Sequence, residues 1–156
     1  MREAREIYQT HLDVVSRAIW DGDMAEVVRR TVFPQSVRFR DGTRTFATPE
    51  DYRAEVGTFR ARMQGLGATG YHRVCQTATF AAGDPGRIEG RHETYILRGG
   101  NYVTPPYGCD MTLVRAGNTW RVADIAVPAL KHGLPTEGEA GAPDGSRAAG
   151  PPSPEP

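Results

Sequence analysis

Two side chains in this sequence have the type and placement for acid–base work. Asp110 lies inside "YGCDMTLVRAGNTWRVADIAV" and His92 inside "RIEGRHETYILR". Aspartate is a poor strand residue, because its side chain competes with the backbone for hydrogen bonds, so one placed in a strand needs a reason. A carboxyl in an apolar pocket resists ionisation, and can then donate a hydrogen bond to a carbonyl or enolate oxygen or shuttle a proton. The plainer alternative is a structural acid, hydrogen-bonded or paired with Arg91 or Arg121. His92 is similarly either a pocket acid–base group or a satisfied strand histidine. The other histidines suit chemistry less well: His11 interrupts a helix face, His72 opens a strand, and His132 falls in a Pro/Gly-rich end. No two histidines and a carboxylate have metal-ligand spacing, no serine sits in a G-x-S-x-G elbow, and Gly99-Gly100 lacks the strand-to-helix context of a phosphate loop. Neither a metal nor a cofactor is expected. Cys75 and Cys109, without CxxC spacing, read as buried small hydrophobes.

The elements that must position Asp110 and His92 follow from periodicity. Ala4, Tyr8, Leu12, Val15 and Ile19 recur at helical spacing and predict a first helix of about 17 residues. It stops at Asp21-Gly22, and Asp23 with Glu26 three residues on can cap a short second helix ending before Pro34. Val37 and Phe39 alternate with polar residues in a brief strand over 36–40, turned by Asp41-Gly42. In "ATPEDYRAEVGTFRARMQGLG", Thr48 is the cap and Pro49 the first helical residue, and Tyr52, Val56, Phe59, Met63 and Leu66 form the packing stripe of a third helix. Beyond residue 70 the period becomes two, with strands expected over 71–82, 87–98, 103–115 and 119–127. Helices followed by long consecutive strands predict an α+β domain with an antiparallel sheet packed on the helices.

Register then decides who faces whom. A two-residue turn at Gly117-Asn118 sets Leu113 against Val122 and Asp110 against Ile125, leaving Cys109, Met111, Leu113, Trp120 and Val122 on one face. Asp110, Thr112, Val114, Ala123, Ile125 and Val127 fall on the other. Both faces look too apolar for water, which predicts that helices cover one and a second copy of the chain or the C-terminal segment covers the other. On this register Asp110 is not a wet surface residue. Whether His92 shares its face depends on the parity of the preceding hairpin, which Pro105 and Pro106 leave open.

Composition bounds the function. Lys plus Arg and Asp plus Glu both number 19 among 156 residues, so no long-range field collects nucleic acid or anionic lipid. No apolar run spans a bilayer and the start lacks a secretory core, so a cytoplasmic location is expected. From about Leu134 the chain is rich in Pro, Gly and Ala and has no aromatics, which divides it into a domain over 1–131 and a disordered tail over 132–156.

Taken together, "WDGDMAEVV", "TPEDYRAEV" and the closing "GNTWRVADI", in an order of three helices and then long strands, resemble the nuclear transport factor 2-like superfamily, in particular its SnoaL-like members. The resemblance covers about residues 4 to 128. It implies a cone-shaped, curved, antiparallel or mixed sheet wrapped around the N-terminal helices, an apolar pocket at the open end, and often a homodimer. The pocket so implied takes Val15, Phe39, Tyr52, Phe59, Thr112 and Ile125 as its wall. Ketosteroid isomerases of this superfamily use a tyrosine on the first helix and an aspartate base on the first strand, but Val15 and Phe39 stand near those places. Asp110 falls near the fourth-strand acid, and Asp110 with His92 is similar to the aspartate–histidine set of SnoaL-like cyclases. Two functions remain open: a module binding an apolar small molecule, and a cofactor-independent isomerase, lyase or cyclase acting on a cyclic carbonyl compound with Asp110 as acid/base.

Overall fold

The computed structural model describes residues 2–130, so the division at 131/132 and the disordered tail lie outside the described residues. Three helices, α1 (Ala4–Asp21), α2 (Met24–Arg29) and α3 (Pro49–Gly65), accompany seven strands. These are β1 (Gln35–Phe39), β2 (Gly42–Phe46), β3 (Gly70–Ala81), β4 (Asp84–Arg98), β5 (Asn101–Tyr102), β6 (Tyr107–Ala116) and β7 (Thr119–Val127). The sheet runs β2-β1-β7-β6-β4-β3, with β5 paired to β4; β1 lies parallel to β7 and the remaining pairs are antiparallel. The sheet is mixed, curved and unclosed, with the helices on its concave side. Strand β2 is an addition to the expected set: of its residues only Phe46 is buried, so it carries little hydrophobic signal.

The helices end where their chemistry says they should. Gly22 adopts φ 79° and closes α1 with backbone bonds to Ala18 and Ile19, a left-handed position that glycine tolerates without strain. Asp23 then accepts from the Glu26 amide to start α2, and Thr48 from the Asp51 amide to start α3. All five apolar residues of the α1 stripe are buried. Helix α1 also shields the outer edge of β3. Gln9 donates to the Arg73 carbonyl and accepts from the Cys75 amide, at 2.9 and 2.7 Å, so its amide replaces a missing strand. Arg5 caps the carbonyls of Cys75 and Gln76 beside it. Over residues 73–76 these bonds occupy edge groups that another strand would need.

A bulge corrects the expected faces. The pairing Leu113↔Val122 holds near the turn, but beyond it Thr112 pairs with Asp124, Met111 with Ile125 and Asp110 with Ala126. Ala123 is the extra residue. A one-residue shift flips every side chain after it, so Ile125 and Val127 join Met111 and Cys109 on the concave face. The convex face carries Asp110, Thr112, Asp124, Arg38, Arg91, Glu89 and Glu93 beside the apolar Val114 and Ala126, its charges joined in part by the ion pairs Arg38–Asp124 and Arg91–Asp110. It is polar, not apolar. The outer face therefore gives no apolar ground for a homodimer.

Candidate functional site

Inside the cone, the concave face and α3 line a pocket of about 150 Å³, open on one side. Its wall is mainly apolar and aromatic: Phe39 from β1, Phe46 from β2, Tyr52, Val56 and Phe59 from α3, Tyr71 from β3, Tyr107 and Met111 from β6, and Ile125 from β7. The edge-on ring contacts Phe46–Tyr52 and Phe59–Tyr71 tie α3 to the sheet around it. Of the wall expected from sequence, Phe39, Tyr52, Phe59 and Ile125 line this cavity. Val15 packs in the core behind it, and Thr112 stands on the convex face opposite Asp124.

Asp110 is not in the cavity. Its side chain is 52% exposed and accepts from Arg91 Nη1 at 3.0 Å, the plainer of the two roles open to it. His92 pairs with Cys109 and Arg91 with Asp110, so His92 and Asp110 occupy opposite faces of the sheet and cannot act on one molecule. Hairpin parity, undetermined in the sequence, separates them.

His92 lines the cavity and is 1% exposed. Its Nδ1 lies 2.7 Å from the Tyr8 hydroxyl, which projects from α1 and is itself fully buried. Tyr8 can come this close to β4 because Gly90 has no side chain: a Cβ there would lie 2.8 Å from two atoms of the Tyr8 ring. Proton balance assigns the tautomer. Tyr8 makes no other hydrogen bond among the described residues, so accepting from Nδ1–H would strand its own buried O–H proton. Tyr8 therefore donates, and the His92 proton sits on Nε2. Burial, then the positive charge of Arg73, hold the His92 pKa down to about 2, so the ring is neutral.

Sequence reasoning misses Arg73, although a signal exists: Tyr71, Arg73 and Cys75 alternate, so a strand that buries the first and last also turns Arg73 inward. It lines the cavity, donates from Nε to Ser16 Oγ at 2.7 Å, and lies over the Tyr71 ring at 5.7 Å. Its Nη2 is buried without an acceptor. The phenols and the thiol on the wall stay neutral near pH 7. Burial raises the phenols of Tyr71 and Tyr107, pushes that of Tyr52 up to about 12, and pushes the Cys109 thiol up to about 11. Glu55, also on the wall, is held by Arg44 at 2.9 Å. The polar inventory is thus the Arg73 guanidinium, one neutral imidazole, several hydroxyls and the Glu55 carboxylate that Arg44 holds. Such a set can bind and orient an oxygen acceptor in an apolar pocket. Among the described residues no group of three or more His, Cys, Asp or Glu is placed to hold a metal ion, and no helix is long and apolar enough to cross a membrane.

The chain has the nuclear transport factor 2-like, cystatin-like fold. It is similar to Aln2 from a Streptomyces species, at 17% identity and TM-score 0.61 over 78% of this chain and 86% of that one. It is similar also to an NTF2-like protein with a cystatin-like fold from Novosphingobium aromaticivorans, at 14% identity and TM-score 0.57 over 80% and 81%. A protein of unknown function with a cystatin-like fold from Nostoc punctiforme matches at 11% identity and TM-score 0.56 over 81% and 90%. No protein-family model and no curated protein matches the sequence. At such identities the likeness concerns the fold and carries no activity with it.

Proposed function

We propose that this chain is a small-molecule-binding protein of the SnoaL-like kind, whose ligand is a single apolar ring, or a body of similar size, bearing an oxygen that accepts hydrogen bonds. The observation that carries the reading is the cavity of about 150 Å³, apolar over most of its wall and supplied at one side by His92 and Arg73. Its volume selects the ligand class. A cavity of about this size holds benzene, which favours a one-ring ligand over a fused four-ring one.

Catalysis is the weaker alternative. An isomerase, lyase or cyclase built on Asp110 would need that carboxyl beside the substrate, and it lies half-exposed on the convex face against Arg91. His92 is inside but has a pKa held to about 2, whereas an efficient general base has one near the working pH. A neutral imidazole N–H polarises and positions an oxygen; it does not readily move protons at pH 7. The test is a calorimetric titration with acetophenone, a one-ring ketone, on the wild type and on Ile125→Trp, which fills the cavity. Saturable binding that the filled variant loses, with its circular dichroism unchanged, supports the reading. Equal binding by both proteins would place the ketone elsewhere and refute it.

A further inference from the structure

We infer that the natural ligand of this cavity is an anion, a small ring carrying a carboxylate or another negatively charged oxygen group that docks on the guanidinium of Arg73. The inference rests on the cavity being a ligand site and goes further in naming the charge. Three observations lead to it.

The first is the state of Arg73 itself. Strand alternation turns it to the apolar side of the sheet, its Nη2 is shut away with no acceptor, and it forms no ion pair among the described residues. The contrast with other arginines of the fold is direct: Arg38, Arg44 and Arg91 each end on a carboxylate. Leaving a guanidinium N–H unmade in the interior is costly, and an acceptor that arrives with a ligand recovers that cost. The second is the charge of the wall. Glu55 is the one carboxylate among the lining residues, and Arg44 already holds it at 2.9 Å. The positive charge of Arg73 therefore has no counterpart inside. The third is the direction of the hydrogen bonds on offer. His92 has its proton on Nε2, and the tyrosine hydroxyls of the wall keep theirs, so the cavity can donate to an oxygen from several sides.

A neutral ketone would satisfy one such donor and leave the charge as it is. An oxyanion does both: it accepts from a guanidinium in the fork geometry that carboxylates fit, and it meets the charge of the partly buried Arg73. Room for about one ring remains behind it.

The experiment compares benzoate with benzamide, its neutral near-isostere, by calorimetry on the wild type, Arg73→Met and Arg73→Lys at pH 7. Benzoate should bind the wild type at least about tenfold more tightly than benzamide, the margin of a charge-assisted over a neutral hydrogen bond. The preference should vanish in Arg73→Met and survive in part in Arg73→Lys. If benzamide binds the wild type as well as benzoate does, the anion inference is overturned while the one-ring pocket stands. If neither binds, both fall. Should Arg73→Met not fold, the wild-type ratio and its dependence on Arg73→Lys still decide the matter.

Discussion

Replacing Gly90 by alanine probes the contact on which the candidate site is built. The backbone at Gly90 is ordinary extended strand without a positive φ, so alanine there incurs no conformational strain. By itself the change should stabilise by about 0.5–1 kcal/mol, since glycine loses more chain entropy on folding. Against this stands the Tyr8 ring, with Cδ2 and Cζ each 2.8 Å from where the new methyl would lie. Tyr8 cannot swing away, because it is fully buried among Leu12, Ile88, Met111 and Leu113. Overpacking of this kind costs about 1–3 kcal/mol, and displacing the ring also loses its hydrogen bond to His92, worth about 1 kcal/mol. The clash wins, and Gly90→Ala should destabilise by about 1–3 kcal/mol in urea unfolding. The double-mutant comparison is sharper. In a Tyr8→Leu background the obstructing ring is gone, so Gly90→Ala should become neutral or slightly stabilising, a change of sign. The same loss in both backgrounds would refute the packing of Tyr8 on Gly90, and with it the tautomer assigned to His92.

Three further outcomes follow from the same geometry. Asp110→Asn should cost no more than about 1 kcal/mol in urea unfolding, because both members of its ion pair are about half exposed; a loss of about 3 kcal/mol or more would mean a buried partner instead. Stability should fall on mild acidification. His11 and His92 are held near pKa 3 and 2 against an ordinary 6.5, so below pH 6.5 the unfolded chain binds protons that the fold refuses. Their contribution is complete above that pH and declines as pH drops toward 3, by about 4 kcal/mol in total between pH 7 and 5. His92→Gln should remove about half of that slope, and a profile flat from pH 7 to 5 would contradict the buried neutral histidines. Finally, Gln9→Ala leaves the Arg73 carbonyl and Cys75 amide at the β3 edge without partners and should cost about 1–3 kcal/mol, read by urea unfolding; an unchanged midpoint would show that α1 does not close this edge.

Much of this architecture is legible residue by residue. The α1 stripe, the Asp23 and Thr48 caps and the change to period two after residue 70 are local signals, and each local preference agrees with the fold. What escapes is non-local or off by one residue. The bulge at Ala123 has no glycine to mark it, yet it carries Ile125 and Val127 to the concave face, and with them the reason for placing Asp110 in a pocket. Tyr8 and His92 stand 84 residues apart, so nothing in either neighbourhood announces their contact. Gly90 is a usable exception, since a glycine in mid-strand points to something large lying close. Arg73 is also within reach, as a charge at an inward position of an alternating strand.

The central claim, that the cone holds a one-ring ligand beside His92 and Arg73, is tested most directly by a crystal structure of the chain grown with benzoate. The account predicts ring density between Phe59 and Ile125, with a carboxylate oxygen at hydrogen-bond distance, about 2.8 Å, from Arg73. Benzoate found only on the convex face beside Arg91, with the cavity filled by its own side chains, would contradict it.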